Sequence, residues 1–138
     1  KMNEFCAIMG LCNLKHLDEA LKNRQERYNY YRQGLEKVKG ICFFATNTEA
    51  TNNFAYIPII IKDDYGITRD EIYDKFHESN IYARKYFYPI TADQACFRNK
   101  NKNNKLDVAR YISQRVLILP FYEKMQIGTI DTIIQILR

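Results

Sequence analysis

Lys1-Met2-Asn3-Glu4-Phe5-Cys6-Ala7-Ile8-Met9-Gly10-Leu11 opens the chain, and its apolar residues govern how the rest can be folded. Wound as a helix, Phe5, Ala7, Ile8, Met9, Leu11 and Cys12 face nearly every direction. A helix that is apolar all round is a buried helix, and Gly10 within it would let another backbone approach closely. A small domain struggles to surround such a turn, whereas a further domain or a second subunit does so readily. The helix then continues. From about Asn3 to Leu35 the pattern reads as one long helix, broken at most once. Its second half carries Leu14, Leu17, Leu21, Tyr28, Tyr31 and Leu35 at alternating three- and four-residue steps, with Arg24 in the missing place. That is a single apolar seam at heptad spacing, on a helix otherwise covered by charge.

Downstream the periodicity changes. Gly34 and Gly40 bracket the helix exit, and Ile41-Cys42-Phe43-Phe44 reads as a short strand. Thr46 to Asn53 is a polar loop. Ala55 to Ile61 is rich in β-branched residues and reads as a second strand, with Pro58 marking an edge or bulge because it cannot donate to a ladder. Asp63-Asp64-Tyr65-Gly66 turns the chain. Thr68 and Glu71 then form a capping box, with Ile67 and Ile72 placed to close a hydrophobic staple over it. Asn80 is expected to end that helix in a left-handed conformation. Ile81 to Phe87 reads as a returning strand, and a helix with Leu106, Ala109, Ile112 and Val116 on one face follows. The run Val116-Leu117-Ile118-Leu119 before Pro120 fits either that helix's last turn or a short buried strand. Thr129 is the expected cap of a last helix, whose Ile130, Ile133, Ile134 and Leu137 lie at i, i+3, i+4 and i+7. The order defines an α+β fold: a long N-terminal helix, then a small antiparallel or mixed sheet packed with helices.

With 138 residues, 46% of them hydrophobic and 27% charged, residues 1–138 are expected to form a single globular domain rather than a disordered chain. No apolar run approaches the ~20 residues of a membrane span. Cys6, Cys12, Cys42 and Cys96 lack paired spacing, and with His16 and His77 as the sole histidines no metal site is expected. They read as reduced, mostly buried thiols of a cytoplasmic protein. The net charge of +5 is concentrated at Arg98 to Lys105, which reads first as a solvated loop. Nucleic-acid binding is the weaker alternative: the eleven tyrosines fall inside periodic segments and do not alternate with the basic run.

No catalytic set stands out. There is no Gly-rich phosphate loop, and no Ser or Cys nucleophile beside a base at a recognisable spacing. Asp63-Asp64 reads as turn chemistry. One segment does stand out, Ile81-Tyr82-Ala83-Arg84-Lys85-Tyr86-Phe87-Tyr88-Pro89-Ile90, which sets two adjacent cations among four aromatics just before a proline. An arginine fork can grip a diphosphate, and tyrosines can hydrogen-bond to or stack on a sugar or base. An edge strand with its charges turned to water is the plainer reading of the same residues, and chemistry alone favours it.

Four blocks occur in a telling order: Lys1 to Phe5 with Gly10-Leu11; Asn53-Phe54-Ala55-Tyr56-Ile57-Pro58-Ile59; Gly66 to Pro89; and Arg115-Val116-Leu117-Ile118-Leu119-Pro120-Phe121-Tyr122. Together they resemble the C-terminal, small domain of DegT/StrS-type nucleotide-sugar aminotransferases, and the Ala83 to Pro89 spelling looks most like members acting on dTDP-linked keto-6-deoxy sugars. The resemblance implies a fold-type I pyridoxal-phosphate (PLP) enzyme, usually a homodimer with active sites between subunits. Such an enzyme moves an amino group, typically from glutamate, to a dTDP- or UDP-linked ketosugar in deoxyaminosugar and surface polysaccharide biosynthesis. The cofactor-binding large domain would then lie outside this chain. None of its lysines sits in the cofactor-lysine motif, so no catalytic or cofactor-binding residue is assigned here, and the fragment alone is expected to be inactive. Arg84, Tyr86 and Tyr88 are the residues the resemblance offers as one wall of the sugar-nucleotide site. Lys1 matches a basic residue that reaches across the dimer towards substrate phosphate. Many relatives carry His-Tyr where this chain has Tyr86-Phe87, so a role that needs imidazole is not carried over. The rival reading is a non-catalytic module that dimerises through the apolar first helix.

Overall fold

The computed structural model describes residues 2–100 and 105–138. Helix α1 (Glu4–Leu14) starts at Asn3, whose side-chain oxygen accepts the Cys6 N–H at 2.9 Å. Helix α2 (Leu17–Leu35) follows after a break at Lys15-His16, where His16 leaves helical dihedrals. The long helix expected from Asn3 to Leu35 is therefore present with its one break. Three strands, β1 (Ile41–Phe43), β2 (Ile57–Ile61) and β3 (Val116–Leu119), form one antiparallel sheet in the order β1-β2-β3. Three helices, α3 (Arg69–Glu78), α4 (Asp107–Arg115) and α5 (Ile127–Ile136), complete an α+β architecture.

The α2–β1 turn needs Gly40. Its φ is +78°, and a Cβ there would collide with the backbone of Tyr65. Strand β2 alternates strictly: Ile57, Ile59 and Ile61 are buried and their neighbours half-buried. Opposite them, Leu119 and Leu117 pair with Ile57 and Ile59. These residues join Tyr31, Leu35, Ile72, Phe76, Ile130, Ile133 and Leu137 in one core. At ~1.5–3 kcal/mol per fully buried aliphatic side chain, that face of the sheet outweighs any single polar contact. All four residues of β3 are buried, because Val116 and Ile118 are covered on the second face. Val116–Leu119 is thus a strand, not a helical turn.

Pro58 lies in the central strand, and the register explains how. Ile118, its partner on β3, gives both its N–H and its C=O to Arg84 on the other side, so Pro58 owes β3 no donor. The missing N–H would face β1, and β1 ends one pair earlier, at Phe43 opposite Ile59.

Several expectations are corrected. Ile81–Phe87 is not a strand: it makes one isolated bridge, Arg84 to Ile118, and then leaves the sheet edge. Thr129 is not a cap, since Gln126 occupies that place and Thr129 sits inside the first turn of α5. The thiols are not mostly buried. Cys6, Cys12 and Cys96 are exposed and Cys42 half-buried, because α1 has no buried residue and Cys96 lies in a surface loop. The α2 seam is buried only towards its end, at Tyr31 and Leu35; Leu14 and Leu17 are exposed. Among the described residues, no helix is long and apolar enough to cross a membrane.

Candidate functional site

The alternation of β2 and β3 decides which residues share a surface. Ile57, Ile59, Leu117 and Leu119 face the core, so Tyr56, Pro58, Val116 and Ile118 face the opposite way. Arg84 extends the same ladder through two hydrogen bonds with Ile118, 3.0 and 2.8 Å long. Its neighbour Ala83 is buried in the core, which turns the Arg84 side chain to the Tyr56 side.

There a small cluster forms. The Arg84 guanidinium donates to the Tyr86 phenol oxygen at 2.6 Å. That bond, and then the Tyr86 charge it would face, holds the exposed Arg84 guanidinium above its ordinary pKa, so it stays cationic. The Tyr86 ring meets Tyr56 edge-on at 5.7 Å and stacks on Phe87 at 4.7 Å. Beside the guanidinium opens a cleft of about 270 Å³, bounded by Tyr56, Tyr82, Arg84, Pro120 and Phe121. A permanent cation, phenols and aromatic faces at one opening suit an anionic ligand with a planar or sugar portion.

The structure brings Arg84 and Tyr86 together. Tyr88 stands elsewhere, its ring 5.0 Å from the guanidinium carbon of Arg69. Lys1 lies outside the described residues. Sequence reasoning passed over Tyr56, although strand alternation from Ile57 would have put it on the Arg84 side. It also passed over Arg69, a buried cation with 2% exposure, hidden by its place as the first residue after the Thr68 cap.

A PLP group needs a lysine poised in a desolvated pocket. Among the described residues every lysine is exposed except Lys85, which is half-buried and ion-paired to Asp70. Among the described residues, therefore, no lysine fits that role, and none of them carries a step through the cofactor.

Residues 1–138 match the model of the DegT/DnrJ/EryC1/StrS aminotransferase family. The chain belongs to that family. It is 33% identical over 138 residues to the dTDP-4-amino-4,6-dideoxy-D-glucose transaminase of Shigella dysenteriae, covering 100% of this chain and 38% of that one. With the transaminase of the same name from Escherichia coli it shares 34% identity over 124 residues, 88% of this chain and 33% of the relative. It thus spans about a third of the length of these relatives. The fold is also that of DesI, solved in the presence of its TDP-sugar product, with a TM-score of 0.88 and 24% identity over 99% of this chain and 35% of DesI.

Proposed function

We propose that this chain is the small domain of a PLP-dependent enzyme that transfers an amino group, with glutamate as donor, to a dTDP- or UDP-linked keto-6-deoxy sugar. The parent is a cytoplasmic homodimer serving deoxyaminosugar and surface polysaccharide biosynthesis, and the large domain carries the cofactor lysine. Pyridoxal phosphate supplies the electron sink for amino transfer. What this chain adds is binding: Arg84 donates to the diphosphate, while Tyr86 and Tyr56 line the approach. The observation that carries this reading is the Arg84–Tyr86–Tyr56 cluster on the coreless face of the sheet, in a chain a third identical to named dTDP-sugar transaminases.

The full-length protein should bind PLP, acquire its visible absorbance and transaminate a dTDP-ketosugar. Arg84→Ala should raise KM for that sugar about 10- to 100-fold, the loss of a charge-assisted hydrogen bond, with the cofactor absorbance intact. A colourless, inactive full-length protein would end the proposal.

A further inference from the structure

The segment that presents Arg84 and Tyr86 is irregular, yet it is held from beneath by two consecutive residues at the start of α3. The Arg69 side chain is only 1% exposed. Its Nη1 donates to the carbonyls of Ser113 and Val116, each at 3.0 Å, and its Nε donates to Asp70 Oδ1 at 2.7 Å. The face of the same guanidinium lies against the Tyr88 ring. Asp70 Oδ1 also pairs with Lys85 Nζ, which in turn sits 4.2 Å from the centre of the Tyr73 ring. So the chain is gripped at residue 85 and at residue 88, with Tyr86 between the two grips and Arg84 just before them. Burial works against the Asp70 carboxylate, but hydrogen bonds and charges from Lys85 and Arg69 outweigh it and hold its pKa below the ordinary value.

We propose that Arg69 and Asp70 are positioning residues that hold the 84–88 segment in the shape that meets a nucleoside diphosphate. The inference rests on the reading of Arg84 and Tyr86 as the diphosphate-facing wall. Its physical basis is preorganisation: a side chain ordered before the ligand arrives spares a cost worth up to about tenfold in affinity. The arrangement needs an arginine at residue 69. A lysine has no planar fork to serve two carbonyls and a carboxylate while presenting a flat face to Tyr88.

The test is calorimetric titration of the full-length, PLP-loaded protein with dTDP, alongside its melting temperature and its KM and kcat for the ketosugar. Asp70→Asn and Lys85→Met should each weaken dTDP about three- to tenfold and raise KM while leaving kcat nearly unchanged. The double variant should be no weaker than the worse single one, because both remove the same contact. Melting temperature should hold; a purely structural role would lower it together with affinity. Arg69→Lys should weaken dTDP in the same way but also lower the melting temperature, because the Ser113 and Val116 carbonyls lose their shared donor. If Asp70→Asn proves unstable, Lys85→Met decides, since it leaves the Arg69 bonds to Asp70, Ser113 and Val116 in place. An Arg84→Ala control separates the two levels: if it leaves dTDP affinity unchanged, or if the parent protein does not bind dTDP, the wall itself is wrong. If Arg84→Ala weakens binding and the Asp70 and Lys85 variants do not, the positioning role alone is overturned.

Discussion

Gly34 lies in α2, where glycine is the weaker helix former. Replacing it by alanine would gain about 1 kcal/mol from helix propensity if the site were open. It is closed: a Cβ at Gly34 would clash with the Ile134 Cδ1 and crowd its Cγ1 and Cγ2 at 3.2 and 3.3 Å, and Ile134 is 5% exposed on α5. Overpacking of this kind costs about 1–3 kcal/mol, so Gly34→Ala should lower stability by roughly 1 kcal/mol in net terms. Adding Ile134→Val, which removes the nearest methyl, should recover part of the loss, and thermal melts of both variants check the argument. Bonds gathered around this contact keep α2 and α5 in register: Arg138 Nη2 donates to the Gly34 carbonyl at 3.2 Å, and the Tyr30 hydroxyl to Asp131 at 2.7 Å. Tyr31, fully buried, spends its hydroxyl on the Pro120 carbonyl at 2.9 Å, and burial pushes its pKa upward.

Helix α3 shows how far local signals reach. The Thr68 N–H donates to Glu71 Oε2 at 2.6 Å and the Glu71 N–H to Thr68 Oγ1 at 3.2 Å, the capping box the sequence announces. Ile72 beneath it is buried, with Ile67 packed against the core. At its other end Asn80 takes φ +56°, as its side chain led one to expect. Thr68→Ala should cost about 1 kcal/mol. Because α3 also carries Arg69 and Asp70, the same change should weaken dTDP binding by the full-length protein, whereas an equally destabilising change in α5 should not. The returning strand expected from Ile81 does not form, for a physical reason. Its β-branched and aromatic content promised a ladder, but after Arg84 the side chains find better partners off the sheet, Lys85 with Asp70 and Tyr88 with Arg69. The α5 start likewise differs from the expected one: Thr129 is an attractive cap by type, but the chain enters the helix at Gln126.

Across the molecule the largest discrepancy is α1. Its composition asks for burial on all sides, yet no residue of it is buried: Phe5 is 81% exposed, Met9 61% and Leu11 63%, and a Cβ added at Gly10 would meet open space beyond its own helix. So large an apolar surface marks an interaction site. On the dimer reading, Phe5→Glu with Met9→Glu in the full-length protein should shift sedimentation from dimer to monomer. A dimer that persists would assign α1 to contact with the large domain instead. Helix periodicity, the capping box, the left-handed stop at Asn80 and the resemblance carried by four ordered blocks were all legible along the chain. Each depends on residues within a turn or two of one another, or on order alone. Whether Val116–Leu119 is helix or strand, which face Arg84 takes, and that Arg69 bonds to the Ser113 and Val116 carbonyls depended on partners some 30 to 60 residues away. A short apolar run gains about as much from burial in either backbone conformation. Only the strand it faces breaks the tie, and with it fixes where the cation at residue 84 points.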